Sequence, residues 1–171
     1  IAPCITLTQA QAAIDEKGLA FVPTATLCPG VANLLSLRSR LGVRNTAHSL
    51  VKMLDPFHGD GLLMAAATHP AFIELMRDML LAENLPALLL RGTEGEPFAN
   101  PKRRPRLEYL HDGMSDVLFD AEHDSLKALP NLPEDNDAAS TAQWTRRVLE
   151  SQVPLPVPIA NQLACCLYAS G

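Results

Sequence analysis

Aromatic side chains are scarce in this sequence: one Trp, two Tyr and five Phe among 171 residues. Stacking of single-stranded bases is therefore not strongly provided for, and any nucleic-acid contact would rest on phosphates. No apolar run reaches the roughly 18 residues that a bilayer span needs, so no membrane association is expected. The opening residues IAPCITLTQAQ lack a basic region followed by an apolar stretch, so no secretion signal is read there. Cysteine is limited to positions 4, 28, 165 and 166. The adjacent Cys165 and Cys166 cannot form a CxxC clip, and no histidine lies at zinc-finger spacing from any cysteine. Within the apolar run NQLACCLYA they are expected to be buried small hydrophobes in a reduced, cytoplasmic protein. His48, His58, His69, His111 and His123 show no HExxH or other ligand spacing. A G-x-S-x-G elbow and a Walker loop are also missing.

What is present is an ordinary globular composition, 47% hydrophobic and 19% charged. One core is affordable at this length, so residues 1–171 are expected to form a single α/β domain segment. The chain begins without Met in residues that already look structured, and it is expected to be part of a longer protein.

The net charge of −5 is unevenly distributed. Ten of the fourteen Lys and Arg residues lie between Arg38 and Arg106, against seven acidic residues in that stretch, whereas residues 107–137 hold nine acidic residues and only Lys127. Charge distribution, unlike net charge, is compatible with an anionic partner.

Periodicity predicts strands near 19–22 (GLAFVP), 62–66 (GLLMAAA) and 86–90 (LPALLLRG), with helices at about 30–41, 45–54 and 70–82. Leu34, Leu37 and Leu41 mark the first helix, Asn45 can cap the second, and His69-Pro70 starts the third. Further along, MSDVLFD suggests another strand and LPNLPEDND a loop. A helix led by Asp137 or Ser140 follows, then the closing helix IANQLACCLYA. The alternation of strands and helices predicts a largely parallel sheet flanked by helices.

The stretch LRSRLGVRNTAHSLVKMLDPF (37–57) resembles the R-x-x-L-G-x-R-T-x-F-N and G-P-L-T-N-P segment of anthranilate phosphoribosyltransferases, glycosyltransferases that share the fold of pyrimidine nucleoside phosphorylases. The order of elements, LLLRGTEGEP included, extends the resemblance over most of the chain. It implies the C-terminal part of a phosphoribosyltransferase-like α/β domain, with the helical N-terminal domain and the phosphate loop outside this chain. Arg38 then matches the arginine that contacts the aromatic carboxylate substrate, Arg44 matches the second arginine, and His48 falls where the family has Asn. Lys52 appears within Val51-Lys52-Met53-Leu54-Asp55-Pro56, where the family has its Gly-Pro turn. Glu94 and Glu96 are the acidic residues nearest to the family's adjacent Asp-Glu pair, which holds Mg²⁺ on the diphosphate. The family's G-T-G-G-D phosphate cradle is absent from the sequence, so the chain alone is expected to be inactive and to hold no cofactor.

Those departures resemble the divergent YbiB-type branch, which is associated with sequence-independent nucleic-acid binding. The resemblance implies a nucleic-acid interface built from Arg38, Arg40, Lys52, Arg91, Lys102, Arg103, Arg104 and Arg106, converging on the C-terminal edge of the sheet. Two alternatives stay open. One is an active pentosyl transferase in full-length form, using phosphoribosyl diphosphate, Mg²⁺ and an altered acceptor. The other is a catalytically silent interaction protein. A homodimer of the full-length form is compatible with each.

Overall fold

A computed structural model describes residues 1–57, 61–93, 96–124, 132–133, 135 and 137–171. The expected loop 129–137 falls largely outside them, as do Lys127, His58 and Glu94. The chain forms two compact units, Ile1–His58 and Gly59–Gly171.

The first unit is built from short helices: α1 (Leu7–Lys17), α2 (Thr24–Leu27), α3 (Pro29–Ser36), α4 (Arg38–Leu41) and α5 (Ala47–Leu50), the last running into a 3-10 turn over Val51–Met53. Thr6 caps α1 by accepting from the Gln9 N–H, while the Gln9 side chain accepts from the Ile5 N–H, a reciprocal start of the capping-box type. The predicted strand at 19–22 is not formed. Phe21 makes only an isolated parallel bridge to Pro3. Pro3 and Pro23 each lack the N–H that would lengthen the ladder. The helix expected over 30–41 is split at Leu37 into α3 and α4, and the one over 45–54 shrinks to α5 and its 3-10 turn.

The second unit holds β1 (Leu63–Ala67), α6 (Pro70–Ala82), β2 (Ala87–Arg91), β3 (Leu107–His111), β4 (Met114–Phe119), α7 (Ala138–Leu149) and α8 (Val157–Ala169). Its sheet has the order β1-β2-β3-β4. The β1/β2 pair is parallel, whereas β2/β3 and β3/β4 are antiparallel. The expectation of a largely parallel sheet is thus corrected to a mixed, mostly antiparallel one. For the β3/β4 pair the cause is local: the two strands are joined by Asp112-Gly113, which takes φ of 48° and 71°. That pair of positive φ values is what a two-residue hairpin turn with a right-handed twist demands.

Side-chain alternation divides the core between the two faces of this sheet. Ala66, Leu88, Leu90 and Leu107 bury against Cys165 of α8, with Met64, Tyr109 and Cys166 packed around them. Burial pushes the Cys165 and Cys166 thiols up, so both stay protonated, apolar side chains. Ala87, Leu89 and Leu110 point the other way, where α6 contributes the buried Met76 and Leu80. His69 caps α6 by accepting from the Ala71 N–H, and Pro70 opens its first turn. Among the described residues no helix is long and apolar enough to cross a membrane.

Candidate functional site

A cleft of about 1000 Å³ opens at the C-terminal end of β2. Among the described residues its walls carry five arginines, Arg77 of α6, Arg91 and the run Arg103, Arg104 and Arg106, against three glutamates, Glu74, Glu108 and Glu122. The chain can turn tightly there because residue 92 is glycine. A Cβ on Gly92 would collide with the Glu96 carbonyl oxygen and lie 2.8 Å from Ala66 Cβ.

Glu108 anchors the cleft. It is 3% exposed and is the charged residue of β3 that faces α6. Arg77 donates to it in bidentate fashion, Nε to Oε2 at 2.7 Å and Nη2 to Oε1 at 2.9 Å. Arg106 Nε lies 3.0 Å from Oε1, and the Ser115 hydroxyl donates to Oε2 at 3.2 Å. Burial by itself would raise the Glu108 carboxyl. The hydrogen bond from Arg77 and the charges of Arg77 and Arg106 outweigh it and hold the group below the ordinary carboxylate range. The same bond pushes Arg77 up, so the pair is ionised throughout the physiological range. A buried carboxylate is tolerable only with this degree of satisfaction.

The remaining arginines differ in how far their charge is already answered. Arg104 is braced: its Nε donates to the Asp120 carbonyl, its backbone N–H donates to Glu122 Oε2, and its guanidinium sits 4.6 Å from the centre of the Phe119 ring. Its Nη1 also lies 3.6 Å from Glu122 Oε1. Arg106 shares Glu108 yet keeps half of its side chain in solvent. Arg91 and Arg103 are exposed on the cleft wall and have no ion pair among the described residues. Lys102 is exposed just beside the wall, its backbone N–H bonded to Asn100 Oδ1.

The cleft therefore brings together Arg91, Arg103, Arg104 and Arg106 of the sequence-predicted interface, with Lys102 adjoining. Arg38, Arg40, Arg44, His48 and Lys52 belong to the first unit. Arg38 and Arg40 are exposed on α4, and Arg44 is exposed in the link to α5. His48 is partly buried and turned inward on its own helix, its Nδ1 accepting from the Asn45 N–H at 3.2 Å. The cap position of α5 falls on Thr46, which makes no side-chain cap bond, and Asn45, one residue earlier, accepts from the Ala47 N–H through its Oδ1. The helix that follows Arg38, Arg40 and Arg44 is a single turn of four residues, too short to sum into a useful dipole. Glu96 of the expected metal pair is exposed and closes a bridge to Thr93. No group of three or more metal-ligating side chains occurs among the described residues.

Sequence reasoning missed Arg77, Glu108, Ser115 and Glu122. Only Glu108 carried a signal, a lone carboxylate inside the apolar alternation LEYL.

No family model matches the chain. It is similar to the uncharacterized protein YbiB of Escherichia coli strain K12, 38% identical over an alignment of 173 residues that takes in all of this chain and 53% of the relative. The chain thus spans about half the length of the curated relative it matches.

Proposed function

We propose that the protein carrying this chain binds nucleic acid without base-sequence preference, and that the Arg91–Arg103 side of the cleft holds the phosphates. The observation that carries this reading is two exposed guanidiniums, without ion pairs among the described residues, on the wall of one cleft. A planar guanidinium offers a phosphate two parallel donors and does not lose its charge at any accessible pH. Arg106 and Lys102 add charge beside them, while Arg104, already braced, shapes the wall. Arg38, Arg40 and Lys52 enter the same proposal as a further basic segment on the first unit. Phosphate contacts carry no sequence information, so binding would be general and governed by counterion release.

The test is the salt dependence of affinity for a labelled oligonucleotide, using the full-length protein. Log affinity is expected to fall linearly with log salt, by about 0.7 per neutralised phosphate on a single strand. Changing both Arg91 and Arg103 to Ala should weaken all sequences about equally and flatten the slope by roughly one to one and a half. Affinity insensitive to salt, or unchanged in the double variant, would leave the cleft a solvated surface. Turnover of phosphoribosyl diphosphate with no such binding would favour the transferase alternative instead.

A further inference from the structure

We infer that Gln162 is a positioning residue for phosphate binding, holding the turn that presents Lys102 and Arg103 at the basic cleft. The inference rests on the nucleic-acid reading above and adds to it a residue that touches no ligand. Glu108 and Gln162 are the two buried polar or charged side chains among the described residues. Glu108 holds Arg77 and Arg106. Gln162, 7% exposed, sits on α8, a helix without a charged residue. Its amide reaches the chain between β2 and β3 at two points. Nε2 donates to the Pro97 carbonyl at 2.9 Å, and Oε1 accepts from the Ala99 N–H at 2.6 Å. A backbone acceptor and a backbone donor two residues apart fit the amide in one orientation only. A hydrocarbon side chain of the same length could pack there, but it would leave both backbone groups unpaired.

What this clasp fixes is the start of a basic turn. Ala99 is fully buried, and the next residue, Asn100, lines the cleft. The Asn100 carbonyl accepts from the Arg103 N–H at 3.1 Å, and its Oδ1 accepts from the Lys102 N–H at 2.9 Å. Asn followed by Pro101 suits the first two positions of a type I turn. Beyond the turn, the Arg104 N–H donates to Glu122 Oε2 and the Arg104 carbonyl accepts from the Glu122 N–H. Residues 100–103 are thus held between two anchors, Gln162 before them and Glu122 after. Lys102 and Arg103 are both exposed, Arg103 on the cleft wall itself. Long cationic side chains lose conformational freedom when they grip a phosphate, and a backbone fixed beforehand keeps that loss small. Removing the Gln162 anchor loosens the turn without removing any charge.

The experiment is a mutant cycle on the full-length protein, read as affinity for a labelled oligonucleotide across a salt titration. Gln162→Met should weaken binding about fivefold at every salt concentration, with the slope unchanged, because the cations still reach their phosphates once bound. In a Lys102→Ala/Arg103→Ala background the same substitution should cost less than about twofold, since its effect passes through those two side chains. In an Arg91→Ala background the full loss should remain, because Arg91 belongs to β2 and not to the turn. A residue that only stabilised the fold would give equal losses in every background, and that result overturns the inference. Undiminished affinity in Gln162→Met overturns it too. Gln162→Asn, whose amide ends one methylene short of the loop, carries the same cycle should Gln162→Met fail to fold. Salt-dependent binding with additive losses overturns the role of Gln162 alone, whereas no binding by wild type at any salt overturns the nucleic-acid reading with it.

Discussion

In the sheet-bearing unit, Leu80, Leu88, Leu89, Leu90, Leu107 and Leu110 are almost wholly removed from water; in the helical unit the buried apolar residues are Cys4, Ala10 and Ala47. The same contrast separates their cations. Arg77 is fixed by a bidentate contact to Glu108 of the sheet, and Arg104 by several contacts to Asp120 and Glu122 just past β4. Arg38 and Arg40 ride on a single helical turn, α4. Recognition that depends on geometry should therefore belong to the second unit, and the first should contribute charge. Buried leucines, more than the number of arginines, decide which basic segment is preorganised.

The largest test of that contrast is a matched pair of truncations. Leu90→Ala removes a fully buried side chain from the β2–α8 core and should cost about 3–4 kcal/mol of unfolding free energy. Leu34→Ala, at a residue half exposed on α3, should cost about 0.5 kcal/mol. Urea titrations followed by circular dichroism give both numbers, and comparable losses would break the distinction between the units.

Next in size is the buried carboxylate. Glu108→Ala should cost roughly 2–3 kcal/mol, somewhat less than breaking a fully buried pair, because Arg77 can turn its guanidinium to solvent. The sign of the pH effect follows from the lowered carboxyl. Stabilisation by ionised Glu108 is complete above the ordinary Glu value near 4.3 and is lost as pH falls through the depressed native value. Wild type should thus lose stability in acid more steeply than Glu108→Gln, as read from urea midpoints between about pH 6 and pH 3. Parallel acid profiles would show that the Arg77–Glu108–Arg106 cluster does not hold the cleft wall.

The parts of this unit that could be foreseen are those whose signals are local. The run LPALLLRG and the Pro70 start of α6 identify β2 and α6 without knowledge of their neighbours, and Asp137 caps α7 as anticipated, its carboxylate accepting from the Ala139 and Ser140 N–H groups. Strand β3 escaped notice because Pro101, Pro105 and five nearby charges make KRRPRLE look like a loop. Its buried Glu108 is explained only by Arg77 on another element. The direction of the sheet was open to reading: Asp112-Gly113 between two alternating segments is a strong hairpin signal. The missing strand at 19–22 shows the opposite failure, a local apolar pattern with no ladder to join. Of the candidate site, the basic run and Arg91 were legible as charges. Which of them are already neutralised was not, since Glu108 and Glu122 come into contact with them only through folding.

The smallest expected effect lies at the hairpin that closes the sheet. His111 stacks on Tyr109 with ring centroids 4.3 Å apart, its Nε2 lies 2.9 Å from Asp116 Oδ2, and its Nδ1 lies 3.2 Å from Asp112 Oδ2. The hydrogen bond to Asp116, then that to Asp112, holds the imidazole above its ordinary value. A raised histidine contributes stability that is fully present below the unfolded value near 6.5 and is lost as pH rises through the native value. This window is opposite in sense to that of Glu108, so the two ion-paired groups of the sheet can be separated by pH alone. Exposure to water keeps the energetic effect small, and the direct readout is the NMR titration of the His111 ring. Its midpoint should stand above that of an unstructured histidine, and Asp116→Asn should lower it more than Asp112→Asn does. An unperturbed midpoint, or a larger drop in Asp112→Asn, would mean that the hairpin carboxylates are too mobile to hold the ring, and that the order attributed to the sheet unit stops short of its β3–β4 turn.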